Sequence, residues 1–187
     1  FPRENIERAI KKSSDKAMDS FEEIRYEGFG PAGTSIIVEA LTDNRNRSAA
    51  DVRAIFQKNG GSFAESGSVS HQFIRYGFLK YPSTISSQDD FFSSAIEAGA
   101  EDCLFEDDCF EALCLPENLS IFYSSLETIF SEPESSGFLW KPSSLVEVTG
   151  EKVKTLFNLL DELDDNEDVQ SVFSNYDVSE EDISSLA

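Results

Sequence analysis

The sequence predicts an α+β fold of two sheet-and-helix domains, the second inserted into the first. Three observations carry this. Stretches whose polarity alternates at period two interleave with stretches of helical period along the 187 residues. At the polar connector YPSTISSQ, Tyr81 to Gln88, the texture changes and a compact block of two helical and three strand segments opens. After Trp140 the block ends and a strand–helix–strand run starts. Residues 22–77 and 145–178 are therefore expected in one sheet backed by two helices. The domains read as 21–77 with 145–187, and 78–144 inserted between them.

FPRENIERAIKKSSD reads as a helix, with Pro2 in its first turn, acids early and Lys11-Lys12 late, which suits the helix dipole. EEIRYEGFG and TSIIVEALT then form a hairpin around Gly28-Phe29-Gly30-Pro31-Ala32-Gly33. That hexapeptide matches G-x-G-x-x-G, the dinucleotide fingerprint, but the fingerprint needs a helix opening at its last glycine. Thr34 to Thr42 are instead β-branched and alternating, and Pro31 removes an N–H that phosphates would want. The glycines supply positive φ angles in a strand–turn–strand connection, and no nucleotide is expected.

The loop TDNRNR leads to a helix from about Ser48 to Asn59, with Ser48 as N-cap, Val52, Ile55 and Phe56 as its core face, and Gly60-Gly61 as the stop. A strand is expected through SVSHQFIRY. Inside the block, DDFFSSAIEAGAED reads as a helix ended by Gly99, and CLFED and CFEALCL as strands around an acidic turn. PENLSIFYSSLETIF is a helix with Leu119, Phe122, Tyr123 and Leu126 inward, and SSGFLW is the closing strand. KPSSLVEVT gives a strand, Gly150 to Leu163 an amphipathic helix, DVQSVFSN a strand, and VSEEDISSLA a loose acidic tail.

Composition narrows the function. The net charge of −21 is uneven: residues 1–60 hold ten Lys/Arg and ten Asp/Glu, and residues 61–187 hold five and twenty-six. An acidic body repels nucleic acid and anionic membrane, so a polyanion has to meet the N-terminal third. No apolar run is long enough to span a bilayer, and no secretory leader is visible, so no membrane partner is expected. The chain starts at Phe1 and its only methionine is Met18, so a native start is absent.

Cys103, Cys109 and Cys114 are an odd set without C-x-x-C spacing, and the last two fall on opposite faces of one strand. They read as buried thiols of a reducing compartment, the cytoplasm. His71 stands alone and no G-x-S-x-G accompanies it; Asp164-x-Asn166-x-Asp168 starts like a calcium loop but continues with Val169 and Asn175 where glycine and glutamate are needed. No enzyme, cofactor, metal or small-molecule substrate is expected.

The run I24-R-Y-E-G-F-G-P-A-G33, then A40-L-T-D-N-R-N-R-S48 with V52-R, PRENIERAIKK at the start, AIEAGAED at 95–102 and DDNEDVQSVFSN at 164–175 resemble the YebC/PmpR family. The resemblance covers nearly the whole chain, with the motifs in the family's order. It implies a basic N-terminal helical domain, of which residues 1–20 would be the remnant last helix, followed by an α+β domain with another inserted in it. It also implies a regulator of gene expression: a DNA-binding transcriptional regulator, or a ribosome-associated translation activator that binds RNA. The tip carrying much of that family's positive charge is absent from this chain.

The polar cluster Asp43-Asn44-Arg45-Asn46-Arg47-Ser48 sets two arginines and two amides before a helix N-terminus, where N–H groups and the dipole favour an anion. Arg53 lies on the same helix and Arg25 on the first strand. One reading is a contact with the phosphate backbone of DNA or ribosomal RNA. The structural alternative is a local turn at Asp43 and Asn44, with the arginines paired to Glu39 or Asp51. Lys11, Lys12 and Lys16 form a second basic patch; Tyr26 and Phe29 read as core or cross-strand aromatics rather than base-stacking ones. A different class of function is also open: an acidic adaptor gripping a basic protein partner through residues 101–111 and 161–168.

Overall fold

The structure is a computed structural model that describes residues 20–186. The expected N-terminal helix, with Lys11, Lys12 and Lys16, lies outside the described residues. Those described form a mixed α+β chain in two compact units, residues 20–74 with 142–186, and residues 75–141.

In the first unit, β1 (Glu22–Phe29) and β2 (Ser35–Thr42) pair antiparallel from Glu22↔Thr42 to Phe29↔Ser35. The connection between them is a 3-10 turn at Pro31–Gly33. The strand–turn–strand connection is as expected, but of its glycines only Gly33 has a positive φ, +74°; the other positive φ, +63°, falls on Ala32, and Gly30 is extended at −109°. β3 (Ser62–Ala64) adds outside β1, and β9 (Val169–Ser174) adds antiparallel to β2, giving the order β3-β1-β2-β9.

The helices α1 (Arg45–Lys58) and α4 (Glu151–Asp165) cover one face of this sheet. Tyr26, Ile36, Val38 and Ala40 meet Val52 and Phe56 of α1 and Val153, Leu156, Leu159 and Leu163 of α4. Period two along β1 places Gly28 on this same face, under the Phe56 ring. A Cβ there would lie 2.6 Å from Phe56 Cε1 and 2.7 Å from the Ser62 carbonyl oxygen. Gly28 is thus required by packing, not by a phosphate.

The second unit is a sheet of order β5-β6-β4-β7: β4 (Phe73–Pro82), β5 (Asp102–Glu106), β6 (Cys109–Cys114) and β7 (Ser135–Pro142). The helices α2 (Gln88–Glu97) and α3 (Leu119–Phe130) lie on one face. Leu79, Tyr81, Phe110, Ala112 and Cys114 pack there against Phe91, Ala95, Phe122, Leu126 and Phe130. The Tyr81 hydroxyl, its body buried, donates to the Ser131 carbonyl at 2.9 Å. The acidic turn between β5 and β6 is tight, with φ of +51° at Asp107 and +58° at Asp108.

Several local readings change. The cap of α1 is Asn44, whose side chain accepts from the Arg47 N–H at 3.0 Å; Ser48 is buried inside the helix. The amide four residues earlier caps the Arg47 N–H and starts the helix one turn sooner, and the apolar periodicity beginning later in the helix concealed it. SVSHQFIRY is not one strand. Residues 65–72 form turns, and β4 starts at Phe73 and runs through Pro82, past the start of the polar connector.

In KPSSLVEVT, Lys141 and Pro142 end β7 and the rest supplies only β8 (Val146–Glu147), paired in parallel with β10 (Tyr176–Asp177) apart from the main sheet. The tail expected to be loose carries a short helix, α5 (Glu180–Ser184), because the Ser179 hydroxyl accepts from the Asp182 N–H at 3.1 Å and acids fill its first turn.

Candidate nucleic-acid interface

Where β2 ends, its last side chain turns back on the backbone. The Thr42 hydroxyl oxygen accepts from the Asn44 N–H at 3.0 Å, and Asn44 then caps α1. The hydroxyl itself donates to Asp168 Oδ2 at 3.0 Å. Asp168 immediately precedes β9 and is 6% exposed, and its own carbonyl accepts from the Leu41 N–H at 2.8 Å. Arg47 Nη2 donates to both oxygens of that carboxylate, at 3.1 and 3.0 Å, and to Asp43 Oδ1 at 3.2 Å. A buried carboxylate therefore ties the start of α1 to the end of β2 and the start of β9. The hydrogen bonds to Asp168 raise the Arg47 guanidinium above its already high ordinary value.

The expected site residues divide on this scaffold. Asn44 is consumed as the cap. Arg47 is 44% exposed but faces two carboxylates, so its charge is cancelled locally. Asn46 is exposed in the first turn of α1. Arg45 is 65% exposed and makes one surface pair, to Glu22 Oε2 at 3.3 Å, of the kind that solvent screens strongly. Arg53 is exposed and lays its guanidinium 4.7 Å over the Phe63 ring.

Arg25 does not join them. Tyr26 and Gly28 face the helices, so the period of β1 sends Arg25 and Glu27 to the other side of the sheet. The pairing partners Glu39 and Asp51, considered from the sequence for Arg45 and Arg47, are replaced by Glu22, Asp43 and Asp168. Tyr26 is buried beside Phe63 at 5.7 Å between ring centroids, as its hairpin position suggested.

Two acids escaped sequence reasoning. Asp168 stood out as the third ligand of a failing calcium loop and as the end of the acidic run 161–168, not as the partner of an arginine. Glu27 is fully buried on the far face of β1. Its Oε2 accepts from the Gly67 N–H at 2.7 Å and from Arg25 Nε at 3.3 Å; its Oε1 accepts from the Val69 and Ser70 N–H groups at 2.9 and 2.8 Å. Burial alone would raise its carboxyl, but these donors outweigh it and hold Glu27 below the ordinary glutamate value. The only signal in the sequence was an acid at an interior strand position between Tyr26 and Gly28.

Residues 21–176 match the family model described as the TACO1/YebC second and third domain. The chain belongs to the TACO1/YebC family. A probable transcriptional regulatory protein of Maricaulis maris is 46% identical over 192 residues, spanning 100% of this chain and 76% of that protein. One from Zymomonas mobilis is 45% identical over 181 residues, spanning 97% of this chain and 73% of that protein. The crystal structure of a conserved hypothetical protein from Aquifex aeolicus superposes with a TM-score of 0.83 at 38% identity, covering 96% of this chain and 74% of that one. The TACO1/YebC assignment and the mixed α+β architecture thus agree.

Among the described residues no cluster of His, Cys, Asp and Glu is arranged to hold a metal ion, and no helix is long and apolar enough to cross a membrane. All three cysteines are free. Burial, with Glu101 and Glu117 adding to it, pushes the Cys114 thiol up to about 11, so its reactive thiolate is suppressed.

Proposed function

We propose that this TACO1/YebC protein regulates gene expression by touching the phosphate backbone of structured RNA on the ribosome with the first turn and outer face of α1. The observation that carries the reading is the division of labour among the arginines. Arg47 is spent on Asp43 and Asp168, and this anchoring fixes the turn from which Arg45 and Asn46 project. Arg53 extends the same helix with a second exposed guanidinium.

Two available arginines make a small contact that adds to affinity without reading sequence. On the exposed face of α1 Ala50, Asp51 and Ala54 interrupt Arg45, Asn46, Arg53 and Gln57, and an acid and two alanines among them favour a backbone contact on RNA over a base-reading row in the major groove of DNA. The relatives are named probable transcriptional regulatory proteins, which favours the other reading, a transcriptional regulator; on this chain its target would be duplex DNA.

A competition decides between them: purified ribosomes against duplex DNA, at two salt concentrations, with Arg45→Glu/Arg53→Glu as the control. Ribosome binding that the double variant loses, with a shallower salt dependence, supports the proposal. Preferential binding to DNA supports the transcriptional reading. Binding that the variant leaves intact removes α1 from the contact.

A further inference from the structure

Arg53 is held differently from the other arginines of α1. Its guanidinium carbon lies 4.7 Å from the centre of the Phe63 ring, and the residue is exposed. Arg47, by contrast, gives its N–H groups to Asp43 and Asp168. Among the described residues the contact of Arg53 is with a ring and not with a carboxylate, so its charge is not cancelled.

Phe63 is itself fixed. It is the middle residue of β3, paired with Gly28 of β1, and packs half-buried against the core of the first unit. Its ring centroid lies 5.7 Å from that of Tyr26 and 6.3 Å from that of Phe56, both buried. Phe56 stands on α1 three residues after Arg53, so the helix supplies both the arginine and one wall of the seat beneath it. A ring wedged in this way cannot follow a swinging side chain.

The kind of partner matters. A ring holds a guanidinium through its charge and planar face, whereas a carboxylate takes up its N–H donors. The five donors of arginine lie in the plane of the group and point outward from its edge. Arg53 is therefore restrained and still able to donate. Asn46 stands two turns earlier on the same face of α1, about 10 Å away, so the restrained guanidinium continues a line that begins at the first turn of the helix.

We infer that Phe63 is the positioning residue of the α1 contact: it presets Arg53 to meet a phosphate edge-on while the ring keeps its hold. The inference rests on the α1 reading proposed above. An arginine free in solution loses its rotamer freedom on binding, which costs about two- to tenfold in affinity for one such side chain. Phe63 removes that loss in advance, without touching the nucleic acid.

The test titrates the full chain against purified ribosomes over a series of salt concentrations. Arg53→Gln should weaken binding and lower the slope of log affinity against log salt by about one. Phe63→Leu should weaken binding about two- to tenfold with the slope unchanged, because every charge is still present. Phe63→Tyr keeps the ring and should restore wild-type affinity. Added to Arg53→Gln, Phe63→Leu should cause no further loss. In the free protein the Arg53 Nε–H proton should resonate upfield through the ring current and return to its ordinary position in Phe63→Leu, and thermal melts confirm that each variant is folded at the temperature of titration.

An Arg53→Gln variant that binds ribosomes as the wild type does would overturn the α1 contact and this inference with it. A clear Arg53 effect beside wild-type affinity in Phe63→Leu would overturn this inference alone. So would a further loss on adding Phe63→Leu to Arg53→Gln, which would mean that the ring acts through the fold and not through the arginine. An Arg53 Nε–H proton that shows no ring-current shift in the wild type would remove the restraint on which the inference stands.

Discussion

The Arg47 guanidinium and the Asp168 carboxylate, 121 positions apart in the chain, meet at 3.1 and 3.0 Å, with Thr42 completing the carboxylate from below at 3.0 Å. This is the joint that turns a β-hairpin and a helix into a presentable surface. Its first consequence concerns stability. Asp168→Ala removes the acceptor and leaves Thr42 and Arg47 without it, at a cost of roughly 1–3 kcal/mol. Arg47→Ala should cost less, because Arg47 is 44% exposed and water replaces part of the interaction. Urea denaturation of the two single variants and the double variant measures the coupling, and strictly additive losses would refute it.

The arginines should separate by phenotype. Arg45→Gln is expected to weaken ribosome or nucleic-acid binding while leaving the melting temperature in place. Arg47→Gln should lower the melting temperature by a few degrees and weaken binding only through the displaced turn. Thermal melts beside binding titrations decide this. The reverse pattern would make Arg47 the contact and Arg45 the strut.

Glu27 predicts a pH dependence. Its folded-state carboxyl sits below the ordinary glutamate value, so the ionised form is favoured by folding. The stability it contributes is complete above the unfolded-state value of about 4.3 and is lost as pH falls through the folded-state value below it. Glu27→Gln loses the anionic acceptor for Gly67, Val69 and Ser70, at about 2 kcal/mol at neutral pH. The gap between wild type and variant should narrow as pH is lowered from 5 to about 3. A gap that stays constant across that window would mean Glu27 does not titrate with folding.

Gly28→Ala tests the packing explanation of the glycine motif. The added methyl meets Phe56 at 2.6 Å and the rigid Ser62 carbonyl at 2.7 Å, so strand or helix has to shift, at roughly 1–3 kcal/mol. Gly33→Ala has open space around it and only its φ of +74° to oppose it, about 1 kcal/mol. Chemical denaturation of both variants should rank Gly28→Ala as the more damaging. Equal losses would assign both glycines to turn conformation alone.

The sequence by itself determined the α+β class, the β1–β2 hairpin and the amphipathic faces of α1 and α4. Hydrophobic period is a local property of consecutive residues, and Ile36, Val38 and Ala40 or Val153, Leu156 and Leu163 declare their buried face without any partner, while Leu159 emerges as buried in place of Phe157 and Leu160 only in the structure. It also excluded the nucleotide reading of GFGPAG, because the residues after the turn are incompatible with a helix. Local periodicity pointed to Ser48 as cap where the structure has Asn44, since both are good cap residues and only hydrogen-bond geometry chooses.

The tertiary structure alone decided which charges are held by buried acids and which meet only a solvent-screened partner. Arg45 and Arg47 are near-identical in the sequence, two residues apart in one loop, yet one projects and the other is neutralised by an acid on β9's threshold. Whether an arginine meets a carboxylate depends on chain crossings more than a hundred residues long, and charge carries no period from which such a meeting can be read. The same holds for Glu27, whose anionic form is sustained by three N–H groups some forty residues further along the chain.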